Sequence, residues 1–195
     1  YRIYIYNLLK RTMITDKLQM IEIRGIMSDK ITLLYNVQNE VTVLPNKFID
    51  EYMPSTLELG RSFVTLEYQS TRSGSKGLFA LDNLWDGLGA LTVEYPQIRY
   101  FFGKVTMYPT FSAEGRNMIL YFLNKHFPDP DHLVWPRTPL ETNMDYEKMS
   151  GLFRNDDFKE DYKVLNQYVR SLGFNIPPLV NAYMSLSPTM RMFGT

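Results

Sequence analysis

The chain has 195 residues, 45% of them hydrophobic, with 21 Lys and Arg balancing 21 Asp and Glu, and no cysteine. That length and apolar share suffice for one domain over residues 1–195 with a buried core, and zero net charge gives no field to gather nucleic acid or an anionic membrane surface. The missing cysteines exclude disulfide frameworks, thiolate zinc sites and cysteine nucleophiles together.

No apolar run reaches the roughly 18 residues of a spanning helix, and no charged-then-apolar leader opens the sequence. The sequence therefore reads as soluble and cytoplasmic, and Tyr1 in place of methionine reads as a trimmed, processed or partial chain. The opening "YRIYIYNLL" is β-branched and aromatic and predicts a strand, and alternation within residues 17–45 predicts one or two more. "PNKFIDEYMP" predicts a short helix that Pro54 stops. "STLELGRSFV" alternates as a strand, with Leu57, Leu59, Arg61 and Phe63 on one face and Glu58, Gly60, Ser62 and Val64 on the other. A bulge at Gly60 would bring Glu58 and Arg61 to one side.

"EYQSTRSGSKG" has no apolar period and reads as a loop; Leu78, Leu81, Trp85, Leu88 and Leu91 then mark one helical face. "IRYFFGKVTM" predicts a strand with apolar residues on both faces. "SAEGRNMILYFLNKHF" predicts a helix with Met118, Ile119, Phe122 and Leu123 inward and Ser112 at its start, followed by the proline-rich surface excursion "PDPDHLVWPRTPL". A further helix, about Asp157 to Leu172, carries Tyr162, Leu165, Val169 and Leu172 on one face and stops at Gly173. Alternation of Val180, Ala182, Met184 and Leu186 predicts a closing strand. Strands interrupted by helices define an α/β (α+β layered) class.

The loop before the first long helix has the composition of an anion site. Gly74 and Gly77 precede a helix N-terminus, where backbone N–H groups and the helix dipole favour negative charge, and Arg72, Ser73, Ser75 and Lys76 add charge and hydroxyl donors. A nucleotide P-loop is excluded, because "RSGSKG" lacks the glycine-lysine-serine/threonine order. The plainer alternative is a glycine-bearing loop that merely starts a helix. Glu58, on the strand beside that loop, has the chemistry of a proton acceptor for an amine whose pKa lies near ~8. For an isolated Glu-x-x-Arg pair a structural ion pair between Glu58 and Arg61 is the favoured reading.

The segments "ELGRSFV", "EYQ", "LFALDNLWDGLGAL", "YFFGKVTMYP" and "LSPTMRMFGT", taken in order, resemble bacterial proteins that carry a hemolysin label and belong to the GNAT-type N-acyltransferases of ornithine and glycine lipids. The resemblance covers most of residues 46–195, and Glu58-x-x-Arg61 also resembles a strand motif of acyl-homoserine-lactone synthases. It implies a GNAT-like mixed, mostly antiparallel sheet flanked by helices. It further implies an acyl donor presented as the acyl-phosphopantetheine of acyl carrier protein, with acyl-CoA as the second donor, and an amino acid such as glycine or ornithine as acceptor. By that resemblance the Arg72–Gly77 loop takes the phosphopantetheine phosphate, and the strands ending near Val64 and beginning near Ile98 splay around the pantetheine arm. Backbone N–H groups after Phe63, with Val64 next in line, polarise the thioester carbonyl. Glu58 deprotonates the amine, and Arg61 holds the acceptor carboxylate or orients Glu58. Acyl carrier protein is then a partner, nucleic acid is not, and peripheral contact with the inner membrane is compatible. Within residues 1–45, "YRIYI" is compatible with the strand that precedes the helix at residue 47, whereas "LLKRTMITDKLQMIEIRGIM" has no counterpart in the family pattern.

The remaining candidates have plainer readings. His126, His132, Asp129 and Asp131 lack a third ligand of defined spacing, so no metal is assigned. Tyr108 and Tyr121 read as packing residues, Trp85 as part of an apolar stripe and Asn83 as a hydrogen-bonding neighbour of the loop. Lys104 either snorkels or meets an acid such as Glu58. The same fold used only to capture acylated carriers or lipids is the alternative to catalysis. Direct membrane lysis fits poorly, for want of a strongly charged amphipathic helix with a clean apolar face.

Overall fold

The computed structural model describes residues 42–59, 80–154 and 156–195. Its contacts divide these residues into two compact units, one holding Asn46–Lys104 and the other residues 42–45 with Val105–Thr195. Each unit mixes helices and strands, so the α/β class read from the pattern holds. The strands predicted before residue 42 lie outside the described residues.

In the first unit a π-helical turn, Phe48–Tyr52, runs into a 3-10 turn, Met53–Ser55, and then into strand β2, Thr56–Leu59. Pro54 supplies the stop. It enters the 3-10 turn with its fixed φ and offers no N–H to continue a helix, and the Thr56 hydroxyl donates to Tyr52 O at 2.7 Å as the chain straightens. Helix α1, Ala80–Glu94, crosses to strand β3, Tyr100–Gly103. β2 and β3 pair in parallel, Thr56 with Tyr100, Leu57 with Phe101, Glu58 with Phe102 and Leu59 with Gly103. Parallel neighbours need such a crossover, and Arg99 N, donating to Ser55 O at 2.9 Å, starts the ladder. Leu57, Leu59, Leu88, Leu91, Phe48, Met53 and Phe102 are buried.

In the second unit the two-residue strand β1, Thr42–Val43, pairs antiparallel with β4, Trp135–Pro136. The core is built on α2, Ala113–His126, and α4, Phe158–Ser171. Met118, Ile119 and Phe122 from α2 and Leu165 and Val169 from α4 are fully buried, each stabilising by roughly 1.5–3 kcal/mol relative to exposure. Both helices start on strong caps. Ser112 Oγ accepts from Gly115 N at 3.2 Å, and Asp157 accepts from the N–H groups of Lys159 and Glu160. A Cβ at Gly115 would lie 3.3 Å from the Phe111 ring, so glycine there permits close approach. Gly173 ends α4 at φ +81, the left-handed conformation that lacks a Cβ penalty only in glycine.

Two elements differ from the pattern reading. The tail predicted as a strand is helix α5, Pro178–Leu186. Val180 and Met184, four apart, are the buried pair, whereas Leu186 is 46% exposed, so a helical face underlies the alternation. Pro178 in the first turn favours the helix start. Helix α3, Tyr146–Leu152, has no counterpart in the pattern; Asp145 caps it and Met149 anchors it in the core.

Surface ties fasten α3 and α4. Lys148 Nζ donates to Glu114 Oε1 and to Tyr168 OH, at 2.7 and 2.8 Å. The Lys148 hydrogen bond, with that of Tyr168, holds the Glu114 carboxyl below its ordinary pKa, and the backbone N–H groups of Glu160 and Lys159 do the same for Asp157. A carboxyl with a depressed native pKa adds stability above its unfolded value, and that stability is lost as pH falls through the native value. Thermal melts should therefore fall below about pH 4, and Asp157→Asn should flatten the acid limb. Parallel acid limbs for the two proteins would remove Asp157 from the effect.

Candidate functional site

Of the residues singled out for transfer chemistry, Glu58 lies in β2, in backbone register with Phe102. Arg61, Phe63, Val64, Arg72, Ser73, Gly74, Ser75, Lys76 and Gly77 lie outside the described residues. The ladder that carries Glu58 extends to the pair Leu59 and Gly103, and α1 begins at Ala80.

Around position 58 the same unit assembles an aromatic cluster that the sequence reading did not single out. Tyr100 and Phe102, two apart on β3, occupy one face; Phe48 and Tyr52, four apart on the helical turn, meet them. The Phe48 ring lies 6.0 Å from that of Phe102 and stacks on Tyr52 at 6.1 Å, and the Tyr52 ring is 5.1 Å from Tyr100. Phe48 and Phe102 are nearly closed to solvent, at 6% and 7% exposure, while Tyr100 is open at 41%. The readable signal was the pairing of i,i+4 aromatics with i,i+2 aromatics in segments that flank Glu58 in the fold.

The loop considered for metal binding is organised otherwise. Asp129 Oδ2 accepts from Leu133 N at 2.6 Å, and Arg191 from the tail reaches Asp129 Oδ1 and Asp131 Oδ2 at 3.3 and 2.6 Å. Asp131, first, and Asp129 raise the Arg191 pKa further, so that guanidinium stays charged. His132 is exposed in a left-handed conformation, φ 47. His126 ends α2 and has a different partner: its Nε2 lies 2.9 Å from Asp161 Oδ2, which also accepts from Lys125 Nζ at 2.8 Å. No group of three or more His, Asp and Glu is placed to hold a metal among the described residues.

Lys104 is exposed just beyond β3. Tyr121 packs as expected, stacked on Phe153 at 5.6 Å, whereas Tyr108 is 71% exposed and packs little. No described helix is long and apolar enough to cross a membrane.

Position 58 lies on one strand of a β-α-β unit whose other strand carries Tyr100 and Phe102 of the aromatic cluster. The chain is 72% identical over 148 residues to a glycine N(alpha)-acyltransferase of Phocaeicola vulgatus, a match that covers 76% of this chain and 45% of that protein. It is 71% identical over 148 residues to a glycine N(alpha)-acyltransferase of Bacteroides thetaiotaomicron, covering 76% of this chain and 44% of that one. Over the matched 148 residues the chain is thus similar to two proteins named as N-acyltransferases, in agreement with the resemblance carried by the motifs. The chain spans a little under half the length of these curated relatives. No family model and no solved structure matches it.

Proposed function

We propose that the protein transfers an acyl group from a thioester to the amino group of glycine, giving an N-acylglycine. The observation that carries this reading is the identity of 72% and 71% to two proteins named for that reaction. The glycine nitrogen attacks the thioester carbonyl carbon, the C–N bond forms, the C–S bond breaks and the carrier leaves as a thiolate. Glu58 removes the proton that the ammonium group must lose before it attacks, and the second N–H proton, released as the amide forms, passes to solvent or to the thiolate. The thiolate, with a reference pKa near ~8.5, needs little help in leaving.

The remaining roles complete the proposal. Arg61 holds the glycine carboxylate or orients Glu58, and the backbone N–H groups after Phe63 receive the developing oxyanion. The loop Arg72–Gly77 takes the phosphate of a phosphopantetheine arm. The donor is acyl carrier protein, the setting is the cytoplasmic side of aminolipid synthesis, and contact with the membrane is peripheral.

The test incubates the purified complete protein with glycine and either acyl carrier protein thioester or acyl-CoA, and follows N-acylglycine by mass spectrometry together with thiol release. Amide formed in step with thiol supports the reading, and the faster donor identifies the carrier. Ornithine added in competition decides the acceptor. Thiol release without amide, or saturable carrier binding without either product, overturns it.

A further inference from the structure

We infer that Phe102, backed by Phe48, selects the acceptor by filling the space that an amino-acid side chain larger than that of glycine would need. The inference rests on the proposed acyl transfer to glycine.

The ladder sets the distance. Glu58 and Phe102 are direct partners in a parallel pair, so positions 58 and 102 share a face of the sheet, separated by about the 4.7–4.9 Å spacing of neighbouring strands. In the proposed reaction the amine is brought to position 58, and Phe102 is the residue beside that position on the neighbouring strand. That ring has little freedom to yield. It is 7% exposed, and Phe48, itself 6% exposed, packs against it with centroids 6.0 Å apart and planes tilted by 57°. Phe48 is in turn stacked almost parallel on Tyr52, at 5° between planes, and Tyr52 is held against Tyr100.

Four rings from the helical turn and β3 thus form a wall braced from behind. Close packing resists the volume of even one added methylene. Glycine brings two hydrogens on its α-carbon to such a wall; alanine must place a methyl group and serine a hydroxymethyl. One methylene in a tight apolar site discriminates by about 10- to 200-fold. Phe101 makes the internal control, because it occupies the alternate face of β3 and is 40% exposed.

The experiment measures kcat/KM for glycine, alanine and serine with one acyl thioester donor in the complete protein and its Phe102→Leu, Phe48→Leu and Phe101→Leu variants, with melting temperatures recorded alongside. The alanine-to-glycine ratio is expected to rise by about 10-fold or more in Phe102→Leu, to rise less in Phe48→Leu, and to stay at the parent value in Phe101→Leu. A ring that serves packing alone would lower all three acceptors together and leave the ratio where it was, and that result overturns the inference. If Phe102→Leu does not fold, Phe48→Leu, which withdraws the brace and leaves the ladder partner in place, decides by the same ratio. Failure of the parent protein to acylate any amine is a separate outcome, which defeats the underlying reading and this inference with it.

Discussion

Glu58→Gln is expected to reduce kcat/KM for acyl transfer to glycine by about 10²- to 10⁴-fold, the range for loss of a general base, while the melting temperature stays near that of the parent. The amino group of glycine is mostly protonated at neutral pH, since an α-amino pKa lies near ~8, and an ammonium has no lone pair with which to attack. Glutamine keeps the length and hydrogen-bonding reach of the side chain but cannot accept the proton, so the variant separates chemistry from packing. Raising the pH supplies free amine from solution, and the deficit of Glu58→Gln should therefore shrink towards pH 9. A pH-independent deficit would assign Glu58 to binding, and equal turnover would remove it from the reaction. Glu58→Asp places the carboxylate one methylene short and should recover only part of the rate.

The legible parts of the fold are those in which local and tertiary preferences agree. In α2 the apolar spacing, the Ser112 cap and the acidic first and basic last turns all specify the same helix. Asp157 and Gly173 likewise bracket α4 within a residue of the predicted limits. The tail was ambiguous because Val180, Ala182, Met184 and Leu186 contain both a period of two and the i,i+4 pair that the core buries. Helix α3 has seven residues. So short a segment turns twice and leaves almost no periodic signal. The roles proposed for Glu58 and the Arg72–Gly77 loop rest on residue type and spacing. The contact of Phe48 with Phe102 was not legible, because the β-α-β topology brings together residues far apart in sequence. His126 shows the same limit. Sequence neighbours suggest a loop with His132, Asp129 and Asp131, whereas the partner that the fold supplies is Asp161, 35 residues away.

That partner sets the largest stability effect. Asp161 is fully buried on α4, and its Oδ2 accepts from Lys125 Nζ and faces His126 Nε2, while its Oδ1 has no hydrogen-bond partner among the described residues. Lys125 also donates to Phe153 O at 2.7 Å, and the rings of Phe122 and Phe158 flank His126 at 4.6 and 5.5 Å. A buried carboxylate in such a place is tolerable only while its charge is matched, and removal of one partner strands the other. Asp161→Asn should therefore cost about 3 kcal/mol, at the lower end of the range for broken buried pairs. The reason is that the Lys125 side chain, 23% exposed, retains some access to water. For a chain of this size the melting temperature should fall by about 6–12 °C. His126→Gln should cost less, since glutamine can still donate a hydrogen bond and Lys125 still supplies the balancing charge. Lys125→Met combined with Asp161→Asn should lose less than the sum of the single losses, because no charge is then left alone. A loss below about 1 kcal/mol, the usual worth of an exposed pair, or strict additivity in that cycle would show that α2 and α4 are held by apolar packing alone.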